Sequence, residues 1–365
     1  MKKALIKTIS AILILTLLIS VFSGCEPAAD ARVYIEGRTF MVDGKELWLS
    51  GGNTPWYDWN DFTGNMNEEK WEETFVMLSE NNINCTRIWI NCNGYQIVKV
   101  NSSGDITEVN EEHWTDLDKL FALAEKYGVY VMATLLSFDH LKSANWQVLL
   151  NSKEKIDAYA NEYVEEFCKR YGENEYLFAI DIMNEPDWVY ENEECGQIEW
   201  DNISYLLGKC ASTIHDNCDT LVTVGMGIIK YNSDKYEGNK ISDEYLNELT
   251  GLDNSYVDFY STHYYYWQKP YFNFPFDKSP EDFGLDADKP CLIGETSNDN
   301  EKQFRMTLPE LYKSAYENGW NGILVWMEPG QEDDTIWYRF DLTAEATNEM
   351  ADYIFDKIYP IGKKK

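Results

Sequence analysis

Positive charge is scarce in this sequence. Its 365 residues include 31 Lys and Arg against 63 Asp and Glu, which gives a formal net charge of −32. A chain this acidic repels polyanions, so the composition argues against binding nucleic acid or an anionic membrane through charge. It fits a soluble enzyme that acts on a neutral polymer, without identifying one.

Patterns typical of metal sites and disulfide frameworks are also missing. The chain has four His and eight Cys, and no Cys-x-x-Cys or His-rich spacing points to zinc. Once Cys25 is set aside, an odd number of cysteines remains, which gives no closed disulfide framework. Cys85 and Cys291 lie in apolar, strand-like runs, where we expect small core residues. We therefore expect no metal and no cofactor.

An apolar run lies near the N-terminus but is too short to favour a permanent membrane span. Basic residues precede the run Ile9–Phe22, and Ser23-Gly24-Cys25 follows it, as in a secretory signal. The end of this segment resembles a bacterial lipobox. That resemblance implies a lipoprotein signal over residues 1–25, lipidation of Cys25 and a tether over residues 26–31. The alternative is an ordinary signal cleaved near Ala28–Ala31. The first interpretation predicts an exported protein with a lipid anchor at the cell surface, and the second predicts a secreted one.

From residue 32 onward, strand-like and helix-like patterns alternate. The strand-like runs are Leu47–Gly51, Ile83–Ile90, Val129–Leu136, Leu177–Met183, Leu221–Gly225, Val257–His263, Pro290–Gly294 and Gly322–Trp326. Eight strands alternating with helices predict an α/β fold, a (β/α)8 TIM barrel over residues 32–360, with a doubly wound sheet as the alternative. A small N-terminal β-hairpin, Val33–Ile35 with Thr39–Val42, should cover one end of the barrel.

Helical patterns fill most of the intervals between these strands. They cover Glu68–Glu80, Thr115–Tyr127, Lys153–Tyr171, Glu199–Asn217, Asp243–Leu249, Glu301–Asn318 and Ala344–Lys357. Asn67 is a candidate N-cap, and Gly128 and Gly172 are placed as left-handed C-caps. The interval His263–Lys289 is long and aromatic, and its helix is doubtful.

The stretch Phe178–Pro186 ends an apolar run in a polar amide, a carboxylate and a proline. Such a run is typical of a buried parallel strand, which Pro186 ends because it lacks a backbone donor. Asn184 and Glu185 then lie at the carboxyl end of the strand, where barrel enzymes carry their chemistry. The alternative is that Glu185 is only an ion-paired or helix-capping carboxylate.

A second carboxylate, Glu295, ends the seventh predicted strand. Two carboxylates over one barrel suit glycosidic-bond hydrolysis, in which one protonates the leaving oxygen and the other attacks or stabilises the sugar cation. Arg87 and Tyr265 would keep Glu295 ionised, and His263 with apolar surroundings could help keep Glu185 protonated. Asn184 is placed to hydrogen-bond the sugar 2-hydroxyl, and Trp326 could form a platform beneath the sugar.

This set of residues resembles glycoside hydrolase clan A and, within it, family five. The matching motifs are Arg87, Asn184-Glu185-Pro186, His263-x-Tyr265, Gly294-Glu295 and Trp326, in order and on the expected strands. The resemblance implies a retaining double displacement with Glu185 as acid/base and Glu295 as nucleophile. Two features depart from the family: Thr296-Ser297 follow the nucleophile, and His140 after strand three does not align. His140 could bind sugar or lie in a surface loop.

Aromatic residues follow several strands on the same face, and rings along a cleft suit stacking against sugars. We expect about half of them to touch substrate, and we place Trp56, Trp188, Trp267 and Trp326 in the binding site. The segments Val257–Trp267 and Gly51–Trp56 resemble the β-mannanase branch, which implies an endo-β-1,4-mannanase acting on plant polysaccharide. An endo-β-1,4-glucanase, an exo-acting β-glycosidase, a metal-dependent barrel hydrolase and a non-catalytic polysaccharide-binding lipoprotein remain alternatives.

Overall fold

The barrel is built from eight parallel strands that follow one another in chain order. The computed structural model describes residues 31–92, 96–329 and 337–357. Its strands are β1 (Tyr34–Glu36), β2 (Thr39–Val42), β3 (Lys45–Leu47), β4 (Leu49–Asn53), β5 (Cys85–Trp89), β6 (Val98–Val100), β7 (Ile106–Val109), β8 (Tyr130–Ser137), β9 (Leu177–Asn184), β10 (Leu221–Met226), β11 (Asn232–Ser233), β12 (Gly238–Asn239), β13 (Tyr260–His263), β14 (Cys291–Glu295) and β15 (Gly322–Trp326). The closed barrel runs β4-β5-β8-β9-β10-β13-β14-β15. This confirms the predicted TIM barrel and excludes a doubly wound sheet.

The helices lie between these strands as a (β/α)8 fold requires. They are α1 (Glu68–Glu80), α2 (Glu111–Tyr127), α3 (Ala144–Leu150), α4 (Lys153–Tyr159), α5 (Glu165–Tyr171), α6 (Asp187–Glu191), α7 (Trp200–Asn217), α8 (Asp243–Thr250), α9 (Pro280–Phe283), α10 (Glu301–Phe304), α11 (Leu308–Glu317) and α12 (Phe340–Tyr353). A π-helical turn, Ala160–Val164, joins α4 to α5 without a break. Asn67 caps α1 as predicted, because its side chain accepts the N–H of Lys70. The interval after the sixth barrel strand contains only 3-10 turns and the short α9.

Two helix predictions were wrong for local reasons. The helix predicted over Glu301–Asn318 is split: Arg305 adopts a left-handed conformation with φ 60°, and Thr307 starts α11 through a capping box with Glu310. Gly172 is not a left-handed cap, since its φ is −60°. Its missing side chain matters instead because a Cβ there would lie 2.4 Å from the Cβ of Cys218.

The predicted N-terminal hairpin is a three-stranded antiparallel sheet, β1-β2-β3, because Lys45–Leu47 adds to its edge. Phe40 from β2 packs edge-on against Phe178 and Phe259, with ring centroids 5.2 and 5.1 Å apart. Phe178 is near the start of β9, whereas Asn184 ends it. The sheet therefore closes the amino-terminal end of the barrel, opposite the predicted site.

The barrel interior carries the apolar character that the sequence predicted. Cys85 and Cys291 are buried core residues, as expected, and the seven cysteines of the described residues are free thiols. Within 31–92, 96–329 and 337–357, no helix has the length and apolar character needed to cross a membrane. The predicted signal, lipidated Cys25 and most of the tether lie outside these residues.

Candidate active site

The carboxyl ends of the barrel strands bring the predicted site residues to one face. Residues on or just after these ends are Arg87, Asn184, Glu185, His263, Tyr265, Glu295 and Trp326. Parallel strands in a barrel all end at the same rim, so residues distant in sequence become neighbours there. The pairing of β13 with β14 sets His263 directly beside Glu295.

Both oxygens of the Glu295 carboxylate accept strong hydrogen bonds. Arg87 Nη1 donates to Oε1 over 2.6 Å, and the Tyr265 hydroxyl donates to Oε2 over 2.8 Å. His263 Nδ1 lies 3.5 Å from Oε1. The side chain is almost fully buried, and these contacts fix its orientation toward the space above the barrel.

Arg87 is held by Asn184 and by two residues that the sequence did not single out, Asp181 and Asn53. Its Nε and Nη2 donate to one oxygen of Asp181 over 2.9 and 2.7 Å. Nη1 also donates to Asn53 Oδ1 over 3.1 Å, and Nη2 donates to Asn184 Oδ1 over 2.8 Å. Arg87 and Asp181 are fully buried. Asp181 had one sequence signal, a carboxylate inside an otherwise apolar strand, which is costly unless it is paired.

Glu185 adopts a backbone conformation that is rare for a side-chain-bearing residue. Its φ is 48°, in the left-handed region, and its N–H donates to the carbonyl of Gly225 over 2.7 Å. This conformation costs a non-glycine residue roughly 1–2 kcal/mol, and such strained residues are concentrated at functional sites. The Glu185 carboxylate lies 3.0 Å from His263 Nδ1.

Burial raises the pKa of both Glu185 and Glu295, but partly different neighbours oppose this rise in each. Burial raises the pKa of Glu185 to about 7, opposed by the charge of Arg87 and a hydrogen bond from Trp188. Burial also raises the pKa of Glu295, opposed by the charge of Arg87 and by the hydrogen bond from the Tyr265 hydroxyl. His263 is itself buried, which lowers its pKa to about 4 and leaves the imidazole neutral at neutral pH. Burial, rather than His263, is the main cause of the raised Glu185 pKa.

Asp187 is a second buried carboxylate that the sequence did not reveal. It accepts the N–H groups of Gly227 over 2.7 Å and Ile228 over 3.3 Å. Burial, followed by the charge of Glu185, raises its pKa to about 8. A Cβ on Gly227 would lie 3.1 Å from Glu185 Cδ and 2.8 Å from Asp187 Oδ2. The backbone at Gly227 is therefore a wall against which the Glu185 side chain rests.

The two glutamates lie close enough to act on one bond. One oxygen of each, together with a nitrogen of His263, fall within 4.8 Å of one another. Three such ligand atoms could also face a metal ion, but the Arg87 guanidinium already binds Glu295 and its positive charge opposes a cation there. The arrangement suits a proton donor paired with a nucleophile rather than a metal centre.

The predicted aromatic residues form two groups at the rim. Trp326 lies against Trp56 and Trp89, with ring centroids 5.7 and 6.0 Å apart, and Trp188 pairs with Trp267 over 6.0 Å. Trp56, Trp188 and Trp326 are half-buried, and Trp267 is 45% exposed. All four predicted contact residues therefore have accessible ring surface.

Other aromatic residues near this face belong to the core. Trp89, Trp146, Tyr264 and Trp337 are buried. His140, for which the sequence left two roles open, is fully buried with its ring edge-on to Trp146 at 5.0 Å. It is not a surface-loop residue.

Comparison with known proteins identifies a family match over most of the chain. Residues 42–325 match the family model described as Cellulase (glycosyl hydrolase family 5). A mannan endo-1,4-beta-mannosidase of Mytilus edulis is 23% identical, with 86% of this chain and 92% of that protein covered. One from Cryptopygus antarcticus is 25% identical, with 80% and 82% covered.

Solved structures agree on the fold. The beta-1,4-mannanase of Aplysia kurodai superposes with a TM-score of 0.76 at 24% identity, and the match covers 88% of this chain and 97% of that one. The beta-mannanase of Mytilus edulis gives a TM-score of 0.75 at 20% identity, covering 89% and 96%. At these identities the structural matches establish the barrel alone.

Proposed function

The chain belongs to glycosyl hydrolase family 5 and is a glycoside hydrolase, and from this premise we propose that it is a retaining endo-β-1,4-mannanase. The proposed substrate is a β-1,4-linked plant mannan. The similarity to the mannan endo-1,4-beta-mannosidases of Mytilus edulis and Cryptopygus antarcticus supports this sugar. A cellulose-type glucan is the nearest alternative, because the family description is that of a cellulase.

The spacing of the two carboxylates carries the proposal of a retaining mechanism. Retaining enzymes hold their carboxyl groups about 5–5.5 Å apart, whereas inverting enzymes leave about 6.5–9.5 Å for a water molecule. Oxygens of Glu185 and Glu295 lie within 4.8 Å of each other. This separation lies below the range of inverting enzymes, so direct attack by a carboxylate fits better.

In the first half-reaction, Glu295 attacks the anomeric carbon and Glu185 gives its proton to the departing glycosidic oxygen. The anomeric carbon–oxygen bond breaks as a glycosyl ester to Glu295 forms. With a pKa of about 7, Glu185 is about half protonated at neutral pH and largely protonated in mildly acidic solution, so it can act as this acid. Arg87 and the Tyr265 hydroxyl hold the attacking carboxylate in place through its two oxygens.

In the second half-reaction, Glu185 acts as a base. It removes a proton from a water molecule that attacks the anomeric carbon, the ester bond breaks and Glu295 is regenerated as a carboxylate. Two inversions leave the anomeric configuration unchanged. His263 contacts both glutamates, so its proposed role is to position them rather than to exchange protons.

The remaining predicted residues are proposed as sugar contacts. Asn184, fixed by Arg87 Nη2, is proposed to hydrogen-bond the 2-hydroxyl of the sugar being cleaved, a contact that strengthens as positive charge develops on the ring. Trp326 and Trp56 are proposed to support that sugar. Trp188 and Trp267 offer an accessible ring pair for sugars on the leaving side.

The test is hydrolysis of mannan, glucomannan, carboxymethyl cellulose, xylan and β-glucan, with the products sized. Internal cuts in mannan and glucomannan, with little release from the other polymers, are the expected result. Release of single sugars from chain ends would contradict endo action, and preference for carboxymethyl cellulose would contradict the mannanase proposal. NMR of the first product should show the β-anomer.

Variants at the two glutamates test the roles. Glu295→Ala should abolish hydrolysis, whereas Glu185→Ala should retain activity only on substrates whose leaving group needs no proton. Glu166→Ala, on the exposed face of α5, is the matched control. A protein that binds mannan but leaves it intact under all conditions would instead support the non-catalytic alternative.

The proposed location is outside the cell, with a lipid anchor at Cys25. The support is the sequence alone: the basic, apolar and small-residue order of residues 1–25. In a bacterial host the full chain should fractionate with membranes, and Cys25→Ser should release it. Recovery of the unsubstituted protein in the soluble exported fraction would instead support an ordinary signal peptide.

A further inference from the structure

The N–H and the carbonyl of Gly227 are both bound by buried side chains. Gly227 directly follows β10 at the carboxyl end of the barrel. Its N–H donates to Asp187 Oδ2 over 2.7 Å, and its carbonyl accepts from Gln268 Nε2 over 2.9 Å. Asp187 and Gln268 are fully buried and belong to different elements, α6 and the 3-10 turn Tyr266–Gln268. Two side chains that follow the fourth and sixth barrel strands therefore hold one glycine that follows the fifth.

The glycine held in this way lies against the side chain of Glu185. A Cβ on Gly227 would be 3.1 Å from both Cγ and Cδ of Glu185, which is closer than an ordinary van der Waals contact. A glutamate side chain left free samples several rotamers. A fixed backbone along one side of it therefore restricts the directions in which the carboxyl group can point.

Gln268 acts in this contact as a hydrogen-bond donor. Its amide faces the carbonyls of Gly227 and His263, at 2.9 and 3.3 Å, and since carbonyls only accept, its NH2 group must point toward them. The other amide atom, Oε1, is buried and has no hydrogen-bond partner among the residues that the structure describes. An unpaired buried oxygen costs stability, so an apolar side chain of the same length would suit packing better. The donor contacts therefore account for a glutamine at this position.

We propose that Asp187 and Gln268 are positioning residues for the acid/base, which they orient by holding the backbone of Gly227; this inference rests on the role proposed for Glu185. When one of the two contacts is lost, the Gly227 segment can move away from Glu185. The carboxyl group then delivers its proton to the leaving oxygen less often in the correct geometry. Glu295 keeps its own hydrogen bonds from Arg87 and Tyr265, so its attack on the anomeric carbon is not impaired.

This arrangement predicts a loss of activity that depends on the leaving group. The ratio kcat/KM measures the steps up to formation of the glycosyl ester. A departing sugar must receive a proton from Glu185 in these steps, whereas 2,4-dinitrophenolate leaves without one. A variant that only weakened the fold or the attack by Glu295 would lower kcat/KM on both kinds of substrate.

The test compares Gln268→Met with the wild-type protein on mannohexaose and on 2,4-dinitrophenyl β-mannobioside. Methionine is unbranched like glutamine and flexible enough to fill its space, but it has no donor. We expect kcat/KM on mannohexaose to fall about tenfold and kcat/KM on the dinitrophenyl substrate to fall by less than about twofold. Equal losses on the two substrates, or no loss on either, would overturn the proposal.

Gln147→Met is the matched control. Gln147 Nε2 also donates to two backbone carbonyls, those of Leu141 and Glu194, over 2.7 and 3.1 Å, but neither contact involves Gly227. This variant should keep both kcat/KM values. Asp187→Asn removes one of the two acceptor oxygens at the other end of the glycine and provides the measurement if Gln268→Met does not fold. It should show the same difference between the substrates, and equal losses would again overturn the proposal.

The same experiment separates this inference from the function on which it rests. Wild-type protein that hydrolyses both mannosides, with variants that lose activity equally on them, would contradict only the positioning role. Wild-type protein that prefers cellohexaose to mannohexaose would contradict the mannanase proposal. In that case, cellohexaose and 2,4-dinitrophenyl β-cellobioside take the place of the mannosides, and the same difference between the two substrates decides the positioning role.

Discussion

Replacing Asp181 by Asn tests whether the buried network beneath Glu295, the proposed nucleophile, organises the site. The substitution keeps the shape of the side chain and removes its charge. Asp181 Oδ2 accepts from Arg87 Nε and Nη2 and from the Thr134 hydroxyl, and Oδ1 accepts the N–H of Gly225 over 2.9 Å. Because all four partners donate at these contacts, an asparagine must turn its own NH2 toward a donor.

The expected cost follows from the burial of both partners. Arg87 and Asp181 are fully removed from solvent. Removing one member of a buried ion pair costs about 3–5 kcal/mol, because the other charge stays buried without its partner. Since Arg87 retains Glu295 at 2.6 Å, we expect the lower end, about 3 kcal/mol. An exposed pair such as Glu166–Arg170 contributes only about 0.3–0.5 kcal/mol.

Two measurements check this expectation. Chemical denaturation should give a free energy of unfolding about 3 kcal/mol lower for Asp181→Asn, and within about 0.5 kcal/mol of wild type for Glu166→Gln. On folded protein, kcat/KM should fall by about 10²-fold, because a displaced guanidinium no longer fixes Glu295. If both variants lose the same stability, the buried pair does not contribute the expected free energy. If Asp181→Asn keeps full activity, the pair does not position Glu295.

Three further changes probe other parts of the site. Because Glu185 must carry a proton to act as the acid and has a pKa of about 7, kcat/KM should fall about tenfold per pH unit above that value; a profile that stays flat there would exclude this role. Gly227→Ala sets a Cβ 3.1 Å from Glu185 Cδ. Because this contact displaces the Glu185 side chain, kcat should drop by about 10–10²-fold, and thermal melting shows whether the variant still folds. Trp267→Ala removes a 45% exposed ring that pairs with Trp188, and should raise KM for mannan oligosaccharides by roughly 2–10-fold with little change in melting temperature; an unchanged KM would place this ring outside the binding cleft.

The barrel could be predicted from the sequence because buried parallel strands are continuous apolar runs. The fourth strand was predicted at Leu177–Met183 and is Leu177–Asn184. The sixth was predicted from Val257 but begins at Tyr260. Val257 and Phe259 are buried below the ladder, and an apolar run alone does not distinguish core packing from strand pairing.

The positions of the two proposed catalytic glutamates could also be predicted, but the network that supports them could not. Glu185 and Glu295 stand at strand ends, where the fold rule gives them a common location. Asp181 and Asn53 act across the barrel on Arg87 through side-chain hydrogen bonds between different strands. Such contacts leave no periodicity in the sequence. The left-handed φ of Glu185 could not be predicted either, since the position holds neither a glycine nor an asparagine, the residues that usually adopt it.

The proposed roles of the two glutamates, acid/base and nucleophile, follow from the hydrogen-bond donors around them rather than from their burial. Burial raises the pKa of both, so burial alone would make both acids. Each oxygen of Glu295 accepts a hydrogen bond, one from the permanently charged Arg87 and one from Tyr265. His263, which burial keeps neutral, contacts both glutamates, and the charge of Arg87 acts on Glu185 only through space. Because a fixed cation favours the ionised form and a neutral imidazole does so far less, the negative charge of the pair should reside on Glu295 and the proton on Glu185.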